Sequence, residues 1–473
     1  MHVSPWILAA AVALTGCDRT IARDSPAPGP CDLLYDRRPD DESTCIELAR
    51  AAHWAALGHP SDALSAFVDL DRPEQRPGLR ALTALHRARH DTDPLARLEA
   101  YARAYADARD ADELAVATMA AAEAVTATPD THRAEAEAWG ARMEEVAHDT
   151  THPAVASALA NARGRVAYDG RQAEQSVQQF LLAVGHAQRW WGPDTPEVAQ
   201  ALGNLGRAHR QARQPEQARA AFERALAILE ADPGPHALRI ASVLGHRGAM
   251  RMSEAEYAPA AADLRRAMEL TRDRLGPTHP ETAHARMNLA VALGKSDELS
   301  AAIVQFDQAV DDLSRARGAD DPLVASALIN RGVVLARQQL LDEASDNYMS
   351  ALAALETPAR EGSREHVFAL VNLAATRMRQ RRFDNAVQGL RRALALSEAA
   401  GRGSSLPMAV VHVNLCESLG ATGDSATAVT HCQRSLEIRE DHLPPEHPAV
   451  TRARDALTKA RAALEGSSGG APP

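Results

Sequence analysis

Residues 196–230 read PEVAQALGNLGRAHRQARQPEQARAAFERALAILE, and this stretch decides the fold. Leu202, Leu205, Gly206 and His209 follow the i, i+3, i+4, i+7 spacing that places side chains on one face of a helix. A second stretch of helical periodicity follows a short polar break, and small residues stand where two helices would approach each other. The stretch therefore predicts two helices that pack closely together.

The same arrangement returns every 42 residues, seven times and without an insertion. We number each repeat so that its first small residue is position 8, and then position 24 is large and apolar in six repeats, while positions 20 and 27 are Ala or Ser in all seven. Position 8 is held by Gly164, Gly206, Gly248, Ala290, Gly332, Ala374 and Cys416. Position 24 is held by Phe180, Phe222, Leu264, Phe306, Tyr348, Leu390 and Cys432. Such a fixed period predicts an array of stacked helix pairs.

This pattern of small and large residues resembles the tetratricopeptide repeat. The period of 42 residues is longer than that of the common tetratricopeptide repeat. This period and the linkers at 191–196 (WGPDTP) and 275–280 (LGPTHP) resemble the repeats of kinesin light chains. The resemblance covers about residues 151–465, with the seven repeats in 151–446. It implies an all-α fold, a right-handed superhelical solenoid of antiparallel helix pairs. We expect a scaffold that binds a protein partner and is not an enzyme, since the sequence offers no catalytic site.

Helices are also expected on both sides of the repeats. Residues 42–150 are an N-terminal region of degenerate repeats, residues 447–465 a capping helix, and residues 466–473 a disordered tail. In the N-terminal region the periodicity predicts helices at 42–57, 61–70, 78–90, 94–109, 111–126 and 131–147. At the helix starts, proline is expected at the first helical position, with Thr195 and Asp321 as caps.

The first residues predict export. Residues 1–16 contain an apolar run too short to span a bilayer, and 14–17 (LTGC) resembles the bacterial lipobox. That resemblance implies a lipoprotein signal peptide, a lipid on Cys17, a flexible linker over residues 17–41, and a protein anchored to a membrane of the bacterial cell envelope, facing the periplasm or the surface. The alternative is an ordinary secretory signal that happens to contain a cysteine.

Four cysteines remain after Cys17, and an exported protein meets an oxidising compartment. Cys31 and Cys45 bracket a short loop, whereas Cys416 and Cys432 occupy positions 8 and 24 of the last repeat, which should face each other. We expect both pairs to form disulfides. Buried free thiols are the alternative.

Composition and motifs give no catalytic, metal or cofactor site. The formal charge of −11 argues against nucleic acid as the main partner. His86 and His90 have a metal-ligand spacing without a third ligand, and Gly294-Lys295-Ser296 lacks the glycine that a phosphate-binding loop requires five residues earlier. The oligomeric state stays open.

Asparagine recurs at position 6, which lies about 150° from the centre of the inward stripe. The residues are Asn204, Asn288, Asn330, Asn372 and Asn414. In the families that the chain resembles, this helix lines the concave groove and asparagine at this position bonds the backbone of an extended peptide, so a partner segment is expected in that groove. Bridging between helices or simple solvation is the alternative. Position 13 carries Lys295, Arg337 and Arg379, which could attract an acidic segment or simply face water. A different possibility is an architectural lipoprotein of an envelope assembly machine that uses its outer surfaces, with no groove ligand.

Overall fold

The structure is a computed structural model that describes residues 77–90, 94–110, 114–128, 133–146, 153–357 and 360–468. The expected signal peptide, the lipidated Cys17, the Cys31–Cys45 disulfide and the first predicted helix pair all lie outside these residues. Within them the chain forms helices and no strand, which confirms the all-α prediction. None of these helices combines the length and the apolar character needed to cross a membrane.

Nineteen helices follow one another in the described part of the chain. They are α1 (Pro77–His90), α2 (Pro94–Asp110), α3 (Leu114–Ala127), α4 (Arg133–Val146), α5 (Pro153–Asp169), α6 (Ala173–Trp191), α7 (Pro196–Gln211), α8 (Pro215–Glu230), α9 (Pro233–Ser253), α10 (Tyr257–Leu275), α11 (Pro280–Lys295), α12 (Leu299–Arg317), α13 (Pro322–Arg337), α14 (Leu341–Leu355), α15 (Arg364–Arg379), α16 (Phe383–Ala399), α17 (Leu406–Ala421), α18 (Ser425–His442) and α19 (Pro448–Ser468). The predicted helices from residue 78 to 147 match α1–α4 to within about three residues, and α19 continues past the predicted end at 465, because helix ends are the least determined part of such a pattern.

Two compact units divide the chain between Glu254 and Ala255. In unit 1 each helix from α1 to α8 packs against its successor, and α3 also packs against α5. In unit 2 the same holds from α10 to α19, and α11, α13, α15, α17 and α19 also lie side by side in that order. The division falls inside the third repeat, where the sequence suggested no boundary.

In three repeats the aromatic side chain at position 24 is buried against a glycine at position 8. The ring of Phe222 is fully buried and lies against Gly206, where an added Cβ would come within 2.6 Å of the ring. Gly164 and Gly332 meet Phe180 and Tyr348 in the same way, at 2.8 and 2.7 Å. The glycines therefore let the two helices approach until a ring fills the space between them, as the sequence predicted.

Helix starts follow the expected chemistry, with one exception. Pro196 and Pro322 are the first residues of α7 and α13, and Asp321 accepts a hydrogen bond from Leu323 N at 2.8 Å. Thr195 stands at the cap position of α7 but makes no capping bond. Its hydroxyl donates instead to Gly192 O in the preceding turn at 3.4 Å, so the predicted cap at Thr195 is wrong. The helix N-terminus then lacks a side-chain acceptor.

One residue in the turn between the two helices of a repeat has the same backbone conformation in all seven repeats. Position 15 has a left-handed backbone, and the residues are Arg171, Arg213, Ala255, Asp297, Gln339, Arg381 and Gly423. In the fifth repeat Gln339 N donates to Ala336 O at 3.1 Å and Leu340 N to Leu335 O at 3.0 Å, the pair of bonds of a Schellman motif. Glycine is the residue that this conformation favours, yet it occupies position 15 once in seven.

Candidate functional site

The candidate site is the surface of the first helix of each repeat, called here the A-helix face. Position 6 points away from the inward stripe, because it is separated from that stripe by more than a third of a helical turn. Asn288 is exposed, and Asn204, Asn330, Asn372 and Asn414 are half-buried. All five predicted asparagines therefore lie at the surface of their repeats.

In unit 2 these amides keep most of their hydrogen-bonding capacity. Across the described residues, the side chains of Asn288, Asn330 and Asn414 have no hydrogen-bond partner. Asn372 Nδ2 donates to Phe368 O of its own helix at 2.9 Å, and its Oδ1 remains without a donor. The A helices α11, α13, α15 and α17 lie side by side. They therefore present a row of four amides that can both donate and accept.

In unit 1 the row is interrupted. Asn204 Nδ2 donates to Asn161 Oδ1 of the preceding repeat at 3.4 Å, so this amide bridges two helices as the alternative interpretation expected. In the third repeat, position 6 is His246, and burial together with Arg207 and Arg210 lowers the pKa of this imidazole to about 3. The open row of asparagines is therefore a feature of unit 2.

The side chains at position 13 have two different environments. Lys295 is exposed and has no partner in the described part of the chain. Arg337 donates to Gly294 O and to Asp297 Oδ1, the latter at 3.0 Å. Arg379 donates to Ala336 O at 2.8 Å and to Gln339 Oε1 at 2.7 Å.

Both arginines thus bind the last turn of the preceding A helix, where unpaired carbonyl oxygens carry partial negative charge. In unit 1 Gln211, also at position 13, donates to Tyr168 O at 2.9 Å in the same geometry. The sequence analysis missed this link between repeats. The signal for it was a long donor side chain recurring at the last residue of the A helix.

Apolar side chains adjoin the asparagines at the carboxyl end of the row. Phe368 and Val410, both at position 2, are 50% and 45% exposed, and each lies one turn before an asparagine on its helix. Leu406 adds a further 37% exposed side chain one turn before Val410. This patch was not predicted from the sequence. The signal for it was that position 2 is polar in the second to fifth repeats and becomes apolar at Phe368 and Val410.

The last repeat carries the second predicted cysteine pair. Cys416 on α17 and Cys432 on α18 are joined in a disulfide with Cα atoms 5.3 Å apart. They occupy positions 8 and 24, where other repeats place a small residue against a large one. In the described residues no three His, Cys, Asp or Glu side chains are arranged to hold a metal ion.

A family model described as tetratricopeptide repeat matches residues 154–231 and 239–314, and a second model of that description matches 369–403. These stretches are tetratricopeptide repeats, a class typical of protein–protein interaction scaffolds. No protein of curated function matches the sequence significantly.

Several solved structures are similar in fold. BtubC (BKLC) from P. vanneervenii is 19% identical, with 50% of this chain and 95% of that chain covered and a TM-score of 0.43. A putative kinesin light chain with nearly identical TPR-like repeats from Podosopora anserina is 17% identical, with 40% and 89% covered and a TM-score of 0.36. Aspartyl phosphate phosphatase F from Bacillus subtilis is 12% identical, with 88% and 97% covered and a TM-score of 0.46.

Proposed function

We propose that this protein is an exported, lipid-anchored scaffold that holds an extended segment of a partner protein along the A-helix face of unit 2. The observation that carries the proposal is the row of amides on α11, α13, α15 and α17, three of which have no hydrogen-bond partner in the described residues. A peptide group offers one donor and one acceptor whatever its side chain, and an asparagine amide matches both. Each such bond contributes about 0.5–1.5 kcal/mol net.

The apolar patch beside the row adds affinity that the amides alone would lack. Phe368 and Val410 are about half exposed, and a bound segment that covers them removes apolar surface from water. Lys295 leaves an unpaired positive charge at the opposite end of the row. Together these features favour a segment that lies across several repeats, with its backbone on the asparagines.

Export and lipid anchoring are proposed from the sequence alone. The lipobox-like residues 14–17 would place a lipid on Cys17 and tether the repeats to a membrane of the cell envelope. One acyl chain binds membranes weakly, so stable anchoring needs the further acyl chains of a bacterial lipoprotein. Labelling with a fatty-acid analogue tests this point, since Cys17→Ser should abolish the label.

The test of the binding face uses a variant with Asn288, Asn330 and Asn372 changed to alanine. A partner captured from the native envelope by the unchanged protein is identified and purified, and its affinity for both proteins is then measured. Loss of three hydrogen bonds should weaken binding between about tenfold and a thousandfold. The matched control is Asn385→Ala, an exposed asparagine on α16, which should bind normally. Equal affinity of the triple variant and the control would overturn the proposal.

A second candidate is an architectural lipoprotein that uses its outer surfaces. Leu181 and Leu182 on α6, the second helix of the first repeat, favour it, because they are 51% and 52% exposed and exposed apolar pairs mark contact sites. Changing both to glutamine should abolish partner binding under this alternative. The asparagine variant should then bind as well as the unchanged protein.

A further inference from the structure

Two side-chain contacts cross the last helix pair next to each other. His412 and Cys416 lie one turn apart on α17, and His431 and Cys432 are neighbours on α18. The Nδ1 atoms of the two imidazoles are 3.0 Å apart, with ring centroids 5.2 Å apart. The two cysteines form the disulfide described above. The same helix pair is thus joined by one covalent bond and one hydrogen bond between titratable groups.

The histidine contact involves a position that is apolar in most other repeats. His412 stands at position 4 of the inward stripe and is 5% exposed. Leucine fills that position in four other repeats, at Leu202, Leu244, Leu328 and Leu370. The chain therefore places an ionisable ring at a core position where an aliphatic side chain is the usual solution.

This geometry requires that at least one of the two rings be neutral. A hydrogen bond between two Nδ1 atoms requires one ring to donate a proton and the other to accept it. Burial, His431 and Arg434 lower the pKa of His412 to about 4, with Glu437 as the opposing carboxylate. When both rings are protonated, the acceptor is lost and two positive charges face each other inside the helix pair.

The surroundings of His431 act in the same direction. Burial and Arg391 of α16 lower the pKa of His431, opposed by Glu398 of α16 and by Asp424 at the start of α18. With Arg434 and Glu437 of α18, these are the charged groups that face the pair from the packed elements. The carboxylates only partly offset the cost of protonation, so acid weakens the contact.

We propose that this helix pair is a redox-dependent, pH-sensitive element: the disulfide keeps α17 packed on α18, and after its reduction protonation of His412 and His431 separates them. Reduction breaks the Sγ–Sγ bond and adds two electrons and two protons, which leaves two thiols. A dithiol reductant supplies them and is itself oxidised to a disulfide. The histidine contact and the hydrogen bond that Ser435 Oγ donates to Ala409 O at 2.7 Å are then polar links that remain between the two helices.

Separation of the two helices would reach the A-helix face. Asn414 and Val410 belong to α17, and they lie on its exposed side while His412 lies on the buried side. A displaced α17 would remove the last amide from the row. This consequence for partner binding depends on the proposed function, whereas the switch itself does not.

Hydrogen exchange followed by mass spectrometry tests the switch without any ligand. The purified full chain is measured oxidised and after treatment with a phosphine reductant, from about pH 7.5 to about pH 4.5, with rates corrected for the intrinsic effect of pH. In the reduced protein, protection of α17 amides should fall by up to about tenfold per pH unit below about pH 6.5, because the open state binds more protons. In the oxidised protein it should change little. The helices α13 and α14, which contain no histidine, serve as the internal reference.

Two variants use residues that other repeats place at the same positions. Reduced His412→Leu should keep the hydrogen-exchange protection of α17 in acid. Reduced His431→Gln should lose less of that protection than the unchanged protein, and glutamine stands at this position in two other repeats, at Gln179 and Gln305. The proposal is overturned if the reduced unchanged protein stays protected at the lowest pH, or if reduced His412→Leu loses protection to the same extent. Either result is independent of whether the A-helix face binds a peptide.

Discussion

Replacing Gly206 with alanine should destabilise unit 1, although alanine is the better helix former. An added Cβ would lie 2.6, 2.7 and 2.8 Å from three atoms of the Phe222 ring, about 0.8 Å short of van der Waals contact. That ring is fully buried and cannot turn away. Overpacking of this kind costs about 1–3 kcal/mol, and the gain in helix propensity returns about 0.5–1 kcal/mol. We expect a net loss of about 1–2 kcal/mol.

Gly245 provides the matched control, because it also lies inside a helix of unit 1 and an added Cβ there meets no atom within 4 Å. Gly245→Ala should therefore stabilise the unit by about 0.5–1 kcal/mol. Unfolding in urea, with hydrogen exchange of residues 196–230 as the local readout, separates the two variants. Combining Gly206→Ala with Phe222→Leu should recover much of the loss, since Ala374 and Leu390 form that combination in the sixth repeat.

Equal stability of Gly206→Ala and Gly245→Ala would contradict the expected overpacking against Phe222. Such a result would mean that the helices move apart at little cost. The fourth repeat, in which Ala290 stands with Phe306, shows that alanine and a ring can coexist where the rest of the repeat suits that spacing. The expected loss at Gly206 thus measures how firmly its neighbours fix the distance between α7 and α8.

Three further predictions concern single side chains. Arg213→Gly should stabilise the protein by up to about 1 kcal/mol, because position 15 has a left-handed backbone, while Ala212→Gly in the same turn should destabilise it; equal urea midpoints would contradict this. Arg379→Ala should lower protection of the carboxyl end of α13 by about 1 kcal/mol, because Ala336 O and Gln339 lose their donor, and unchanged exchange there would argue against the link. Since the pKa of His246 is lowered to about 3 and that of an unfolded histidine is near 6.5, the unfolded chain binds the proton first. The contribution of His246 to the free energy of unfolding is therefore fully present above about pH 6.5. It falls as the pH decreases towards about 3, by at most about 1.4 kcal/mol per pH unit. His246→Asn should flatten that slope in urea titrations, and an unchanged slope would count against the burial of this ring.

The repeat register and the packing inside a repeat could be predicted because both depend on residues within one period. Gly206 and Phe222 are sixteen residues apart on neighbouring helices, where periodicity gives the inward face of each helix and the resemblance to the tetratricopeptide repeat pairs the two positions. The same reasoning placed prolines at helix starts, since a missing N–H costs nothing there. For position 6, periodicity gave the correct surface but not the difference between Asn288, which is exposed, and Asn204, which bonds a neighbouring repeat.

Contacts between repeats could not be predicted, because helical periodicity says which side a residue faces and not how far its side chain reaches. Arg337 and Arg379 were expected on an open face, and they are there, but their guanidinium groups bind the preceding helix end. The left-handed turn residues were missed for another reason. Residues such as Arg213 and Gln339 carry no turn signal of their own, and the two Schellman hydrogen bonds hold them in that conformation.

The link from position 13 has a direction along the chain. Gln211, Arg337 and Arg379 always supply the donor, and the earlier repeat always supplies the carbonyl oxygen. As the chain emerges from the ribosome, the carbonyl oxygen of each completed repeat accepts a hydrogen bond from water until the next repeat folds and supplies the donor. Cutting the chain before one of these donors therefore leaves only acceptors behind, namely the carbonyl oxygen and, after the fourth repeat, the exposed carboxylate of Asp297.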